Sequence, residues 1–226
     1  HWGEQTRGVL ISSPSNPTGT TISPNQLESI HAKIGARDGF LIVDEIYHGL
    51  TYGDQVQTAL TVGDDLFVVN SFSKYFGMTG WRVGWLVVPE AFVEVADRLA
   101  GNIFIAAATH SQHAAVASMS EPAVEVLEER RVEFQRRRDY LLPALRDVGF
   151  KIDGVPEGAF YLYADCTSFT DDSFQFCFDL LDSTGVAITP GIDFGSYRAR
   201  EHVRFAYANS IENLAEGVDR LARHLR

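Results

Sequence analysis

The chain predicts an α/β fold, in which a mostly parallel sheet with helices is followed by a smaller α+β segment. Three observations carry this prediction. Short apolar runs, Val9-Leu-Ile-Ser12, Gly39-Phe-Leu-Ile-Val43 and Leu66-Phe-Val-Val-Asn70, are separated by helical and turn-rich stretches, and uninterrupted apolar runs of this length suit the buried strands of a parallel sheet. Polar residues gather where each run ends, which is where α/β proteins keep their chemistry. From residue 149 onward the strands become aromatic and alternating, a different style of sheet. A hydrophobic content of 45% over 226 residues is ample for a packed core.

The elements follow in order. After the first strand, Ser12-Ser-Pro-Ser-Asn-Pro-Thr-Gly19 is dense in turn formers. Ser23-Pro24 then opens a helix through Leu27, Ile30 and Ile34, with serine as cap and proline at the first helical position. The second strand ends in Asp44-Glu-Ile-Tyr47, and the third leads into a loop rich in hydroxyls and glycines. Trp81-Arg-Val-Gly-Trp-Leu-Val-Val88 reads as a fourth strand closed by Pro89. Residues 90–99 and 106–119 read as helices, the latter nearly all small residues and therefore suited to close packing. A longer helix spans 121–148, with Leu127, Phe134, Leu141 and Leu145 at helical spacing and Arg130, Arg131, Arg136 and Arg137 mostly between them. Those arginines read as the solvated side of a bridging helix. Beyond Gly149, Phe150-Lys-Ile, Ala159 to Ala164, Val186-Ala-Ile and His202 to Tyr207 are strand-like, with helices over 173–183 and 211–225.

The formal charge of -11 and a pI near 5.0 oppose a broad nucleic-acid or anionic-membrane surface, because the phosphate interaction would be repulsive. No apolar run approaches the ~20 residues of a membrane-spanning helix, so neither nucleic acid nor membrane is expected as a partner. Two cysteines, Cys166 and Cys177, are too few for a disulfide framework or a zinc cluster, and a reduced, cytoplasmic setting is expected. No metal site is expected.

The chemistry centres on Ser71-Phe-Ser-Lys-Tyr-Phe-Gly-Met-Thr-Gly-Trp-Arg-Val-Gly84. Lys74 falls where a strand gives way to a loop, and a lysine there can form a Schiff base with a carbonyl once nearby charge or desolvation lowers its pKa. Arg82 can supply that charge and also grip an anion, and Ser71 and Ser73 add hydroxyl donors for phosphate. Taken alone, such a match more often marks a surface lysine in a glycine-rich loop. The chain holds two other lysines, Lys33 and Lys151, neither in such a setting.

Asn16 in Ser-Asn-Pro-Thr-Gly, Asp44 and Tyr47 in Asp-Glu-Ile-Tyr, Lys74 with Arg82, and Arg204 in His-Val-Arg-Phe-Ala occur at strand ends in this order. In that order they resemble the class I/II aminotransferases, the aspartate-aminotransferase-like enzymes of pyridoxal-phosphate fold type I. The resemblance implies that Lys74 holds pyridoxal 5'-phosphate as a Schiff base and afterwards shuttles a proton. It implies that Asp44 pairs with the pyridine nitrogen and keeps it protonated, so that the ring accepts electrons. Tyr47 and Asn16 would donate to the cofactor's phenolate oxygen, and Ser71, Ser73 and Arg82 would hold the phosphate. Arg204 would grip the substrate α-carboxylate, with Asn16 nearby, and Gly158-Ala-Phe-Tyr161 would line the substrate side. Without the family, Asp44 is a strand-end cap, Tyr47 packing, Asn16 a turn residue and Arg204 a surface or ion-paired side chain.

By the same resemblance, residues 1–120 form part of the cofactor-binding large domain, 121–148 the bridging helix and 149–226 the small domain. Full members carry roughly 150 further residues before Asn-Pro-Thr-Gly, about one more domain, so the chain is expected to hold an incomplete site and to be inactive alone. The implied activity of the intact protein is amino transfer between an α-amino acid and a 2-oxo acid, in a homodimer. Fold and cofactor do not fix the reaction. The alternatives are a C–S lyase or aminocyclopropane-carboxylate synthase-like enzyme, and a pyridoxal-phosphate-binding effector domain of a transcription regulator.

Overall fold

A computed structural model describes residues 2–53 and 56–225. They form two compact units, one of His1–Ser15 with Thr20–Arg131 and one of Asn16–Gly19 with Val132–Arg226.

The first unit runs β1 (Gly8–Ser12), α1 (Pro24–Gly35), β2 (Phe40–Asp44), β3 (Phe67–Ser71), β4 (Gly84–Val87), α2 (Val93–Ile103) and α3 (Thr109–Ser118). Its sheet has the order β1-β2-β3-β4, with the first three strands parallel and β4 antiparallel to β3. The helix α1 starts where the sequence predicts. Ser23 Oγ accepts from Gln26 N–H, Gln26 Oε1 accepts from Ser23 N–H at 2.9 Å, and Pro24 opens the first turn. Such caps contribute about 1 kcal/mol.

Leu27 and Ile34 of α1 pack on Leu41 and Val43 of β2 and on Leu66, Val68 and Ala59. Each fully buried large side chain stabilises the unit by roughly 1.5–3 kcal/mol relative to exposure. This burial is one-sided. Leu10, Phe40, Val69 and Leu86 are 67, 44, 38 and 53% exposed, so the strand runs, expected to be buried on both faces, are covered on one face only among the described residues.

The expected fourth strand is shorter than Trp81–Val88. Residues Thr79–Trp81 form a 3-10 turn and Arg82 adopts left-handed backbone, φ 53°, which delays β4 to Gly84. The helix expected at 90–99 begins with a 3-10 turn over Glu90–Phe92 and continues as α2 to Ile103. In α3, the small side chains bury only Ser111 and Ala115, the latter against Phe72 and Met78.

The helix α4 (Glu121–Val148) is continuous through Pro143, and the division between the units falls within it, after Arg131. Its arginines pair largely along its own surface. Arg131 donates to Glu128 at 2.7 Å, and Arg136 and Arg137 reach Glu133 at 3.4 and 2.9 Å. Arg138 differs, being buried and donating to the Pro156 carbonyl at 2.8 Å and to Asp139 at 2.6 Å.

The second unit adds β5 (Tyr161–Asp165), α5 (Ser173–Thr184), β6 (Thr189–Pro190), β7 (His202–Ala206) and α6 (Ile211–His224). Its antiparallel sheet has the order β5-β7-β6, and Arg204 in the central strand faces Tyr163 on one side and Thr189 on the other. Leu145, Phe150, Leu162, Leu180, Val203, Tyr207 and Leu221 are almost fully enclosed.

Two expected strands are absent among the described residues. Phe150-Lys-Ile makes a single bridge, Lys151 to Asp165, because Phe150 is drawn into an aromatic cluster with Phe169, Phe176 and Phe205. Val186-Ala-Ile instead lines a 360 Å³ cavity with Leu141, Leu145 and Leu221, and pairing begins at Thr189.

The Asn16–Gly19 turn belongs to the second unit because the Gly19 carbonyl accepts from the N–H groups of Glu157 and Gly158 at 3.0 and 2.9 Å. Gly19 has φ +67°, and a Cβ there would lie 2.7 Å from the Gly158 carbonyl oxygen. Only glycine satisfies both demands.

Candidate active site

In the first unit the site is built from the carboxyl ends of adjacent strands. Asp44 closes β2, and its Oδ1 accepts from Ile46 N–H at 3.0 Å. That bond shapes the turn carrying Tyr47, which is buried. Next to Asp44 the strand alternation sends Glu45 to the opposite face. There Glu45 is buried, accepting from Ala59 N–H at 2.6 Å and from the Thr58 hydroxyl at 3.0 Å, with His48 Nδ1 at 3.3 Å. Burial lowers the His48 imidazole below its ordinary pKa, against the opposing pull of Glu45. Of the two adjacent carboxylates, Glu45 is thus committed to structure.

Lys74 follows the end of β3 by three residues, and its Nζ lies 5.8 Å from the centre of the Tyr47 ring. Ser71 Oγ accepts from Ser73 N–H at 2.9 Å, and the Ser73 carbonyl accepts from the Thr79 hydroxyl at 2.8 Å. The loop therefore folds back on itself and brings Ser71 and Ser73 together. Arg82 is exposed, and its Nη1 donates to the Thr79 carbonyl at 3.2 Å. A left-handed arginine costs roughly 1–2 kcal/mol; the neighbouring Val83 carbonyl, which accepts from Phe72 N–H at 3.1 Å, helps to fix it.

Tyr75 ties this loop down, an arrangement the sequence did not reveal. Its ring packs on Gly49, where an added Cβ would fall 2.6 Å from the ring, and its hydroxyl donates to Glu128 at 2.6 Å. Arg131 completes the chain by donating to Glu128 and to the Thr51 carbonyl, at 2.7 and 3.2 Å. Burial and the hydrogen bond to Glu128 push the Tyr75 hydroxyl up to about 12. Burial acts to raise the Glu128 carboxyl, but donation by Tyr75 and Arg131 outweighs it and leaves the group below its ordinary range.

Asn16 and Arg204 lie together in the second unit. Nη1 of Arg204 donates to Asn16 Oδ1 at 2.8 Å and Nη2 to the Thr189 hydroxyl at 3.3 Å. The guanidinium carbon lies 4.2 Å from the centre of the Tyr161 ring and 4.7 Å from that of Phe194. Nε is enclosed and has no hydrogen-bond partner among the described residues. A guanidinium donor left in this way costs free energy unless an anion completes it. Sequence reasoning singled out Tyr161 but not Thr189 or Phe194, for which the local pattern carries no signal.

Of the sequence-derived candidates, Asp44, Tyr47, Ser71, Ser73, Lys74 and Arg82 belong to the first unit, and Asn16 and Arg204 to the second. An amine, a carboxylate and a phenol at adjacent strand ends can handle a carbonyl compound and its protons. The serines and Arg82 offer donors to an anion. Among the described residues no group of three or more His, Cys, Asp or Glu side chains is arranged to hold a metal ion, and no helix is long and apolar enough to cross a membrane.

A family model described as aminotransferase class I and II matches residues 2–221. The chain belongs to that family. It is 43% identical over 221 residues to the valine–pyruvate aminotransferase of Mycobacterium tuberculosis, covering 97% of this chain and 57% of the relative. It is 36% identical to a probable N-acetyl-LL-diaminopimelate aminotransferase of Bacillus subtilis, covering 96% and 54%. Among solved structures, an aminotransferase from Mycobacterium tuberculosis superposes with a TM-score of 0.93 at 43% identity, over 97% of this chain and 57% of that one. An aromatic aminotransferase from Pyrococcus horikoshii gives 0.93 at 31% identity, over 100% and 61%. The chain thus spans little more than half the length of the curated relatives it matches. The aminotransferase resemblance and the α/β fold with its mostly parallel sheet, both expected from the sequence, are established by these matches.

Class I and II aminotransferases generally depend on pyridoxal phosphate. The donor set of the first unit fits such a group: one lysine amine, one carboxylate, one phenol, and paired serines beside an arginine. The enclosed Arg204 Nε fits a carboxylate.

Proposed function

We propose that this chain is part of a pyridoxal-phosphate-dependent aminotransferase that moves an amino group between an α-amino acid and a 2-oxo acid. The observation that carries the reading is Lys74 Nζ 5.8 Å from the Tyr47 ring, beside a strand that ends in Asp44. When bound, pyridoxal phosphate supplies an electron sink for the bond-breaking at the substrate Cα.

Each residue has a stated part. Lys74 is the covalent anchor for the cofactor and, once released, carries the proton that substrate gives up and takes back. Asp44 holds a proton on the pyridine nitrogen, and Tyr47 and Asn16 donate to the cofactor's phenolate oxygen. Ser71, Ser73 and Arg82 bind the phosphate, a charge-assisted set stronger than neutral hydrogen bonds. Arg204 binds the substrate carboxylate through its Nε edge, and Asn16 orients that guanidinium through Nη1.

In this reading residues 1–120 are the cofactor-binding domain, α4 is the bridge and 149–226 are the small domain. The division of the chain inside α4 supports that arrangement. Exposed Leu99, Ile103, Phe104 and Ile105 at the end of α2 support association into a homodimer. The free, buried thiols of Cys166 and Cys177 support a reduced, cytoplasmic setting.

The test is to titrate the intact protein, of which this chain is a part, with pyridoxal phosphate and then supply amino donors and 2-oxo acids. Conversion to the amine form by an amino acid, reversed by an oxo acid, is the expected result. Release of ammonia and a 2-oxo acid with no reversal would replace amino transfer by a lyase.

A further inference from the structure

We propose that Phe194 is a positioning residue for the substrate carboxylate, clamping the Arg204 guanidinium against Tyr161 so that only its edge meets the anion. This rests on the reading of Arg204 given above and adds to it a residue outside the sequence-derived site. Arg204 lies in the central strand β7, with Tyr161 on β5 and Thr189 on β6. Its guanidinium carbon is 4.2 Å from one ring centre and 4.7 Å from the other. Both distances are within the range at which a cation is held by an aromatic face.

The in-plane donors are allotted as well. Nη1 is directed to Asn16 and Nη2 to Thr189, while Nε is enclosed and unpartnered among the described residues. With the guanidinium held between the two rings as proposed, an anion adds in the guanidinium plane, along the edge bearing Nε. A planar carboxylate has the geometry for that approach, since its two oxygens match two parallel N–H groups.

Phe194 is itself held. It follows the 3-10 turn Gly191–Asp193, its N–H donates to the Gly191 carbonyl at 3.0 Å, and its ring meets the Tyr163 ring edge-on at 6.1 Å. Tyr163 in turn stacks on His202 at 4.8 Å. At Gly191 a Cβ would come within 2.8 Å of the His202 carbonyl oxygen, so the turn presenting Phe194 lies tight against the strand that carries Arg204. Phe194 is therefore supplied from a defined position, and the arginine loses its freedom to swing before any ligand arrives.

The experiment measures binding by calorimetry in the intact protein, using a 2-oxo acid and its methyl ester, which lacks the negative charge. Phe194→Leu keeps an apolar side chain but removes the aromatic face, and Phe194→Trp restores a face. The clamp predicts that Phe194→Leu weakens the 2-oxo acid about tenfold, leaves the ester within about twofold, and leaves the melting temperature close to that of the parent. Phe194→Trp keeps parental affinity. Parent-like affinity in Phe194→Leu, or equal losses for acid and ester, would overturn the clamp while leaving the aminotransferase reading intact. A parent chain that binds acid and ester equally would instead sink the carboxylate role of Arg204, and the clamp with it.

Discussion

Asn16 Oδ1 accepts a 2.8 Å hydrogen bond from Nη1 of Arg204, across 188 positions of sequence. The bond joins the Asn-Pro-Thr-Gly turn to the strand that carries the proposed carboxylate receptor. It also fixes which edge of the guanidinium remains for a ligand. Asn16→Ala removes that acceptor and leaves Nη1 without its partner. Hydrogen bonds to charged groups contribute ~1.5–3 kcal/mol, so 2-oxo acid binding is expected to weaken about 10- to 100-fold. Calorimetric titration checks this, and an unchanged affinity would remove Asn16 from the site.

Asp44 and Glu45 are adjacent carboxylates with opposite assignments. Glu45→Gln leaves the donors at Ala59 and Thr58 facing an uncharged amide and is expected to cost about 1–3 kcal/mol of stability. Asp44→Asn should leave the melting temperature nearly unchanged and abolish the pH-dependent absorbance of bound pyridoxal phosphate. Thermal melts and visible spectra of the two variants separate the roles. A stability loss at Asp44 with normal spectra would reverse the assignment.

Tyr75 gives a pH dependence of stability with a definite sign. Its hydroxyl is raised from 10 to about 12, so in the alkaline range the folded chain retains a proton that the unfolded chain releases. The Tyr75–Glu128 contribution is therefore full below pH 10 and is lost as the pH rises toward 12. Tyr75→Phe keeps the ring on Gly49 but removes this titration. Denaturant melts between pH 9 and 12 (about the ordinary tyrosine range) should show the parent losing its advantage over Tyr75→Phe as the pH climbs. A difference constant with pH would contradict the bond.

How much of this was legible in the sequence depends on the range of the interactions. The choice of Asp44 rests on the family resemblance, and the structure agrees with it through strand alternation, because Leu41, Val43 and Glu45 share the buried face. The cap at Ser23, the run of α4 and the place of Lys74 after β3 are equally local and were read directly. Arg82 was read as part of a strand, since nothing in Trp-Arg-Val announces a left-handed arginine. Phe194 and Thr189 acquire their roles only through the pairing of β6 with β7, 15 residues apart at Thr189 and Arg204. Val186-Ala-Ile was misread for the converse reason: its apolar side chains are used in cavity walls and not in a ladder.

Gly19 tests the geometry that holds the Asn16 turn. Gly19→Ala places a methyl group 2.7 Å from the Gly158 carbonyl oxygen at a backbone of φ +67°. A loss of roughly 1–3 kcal/mol is expected, read as a lower denaturation midpoint. An unperturbed midpoint would mean that the turn does not adopt this conformation.

The central claim is that Lys74 is the cofactor lysine, and borohydride trapping tests it most directly. The intact protein is treated with pyridoxal phosphate, reduced, digested and examined by peptide mass spectrometry. The account predicts a stoichiometric adduct on Lys74, none on Lys33 or Lys151, and no adduct in Lys74→Ala. A comparable adduct on either other lysine, or its persistence in Lys74→Ala, would contradict it.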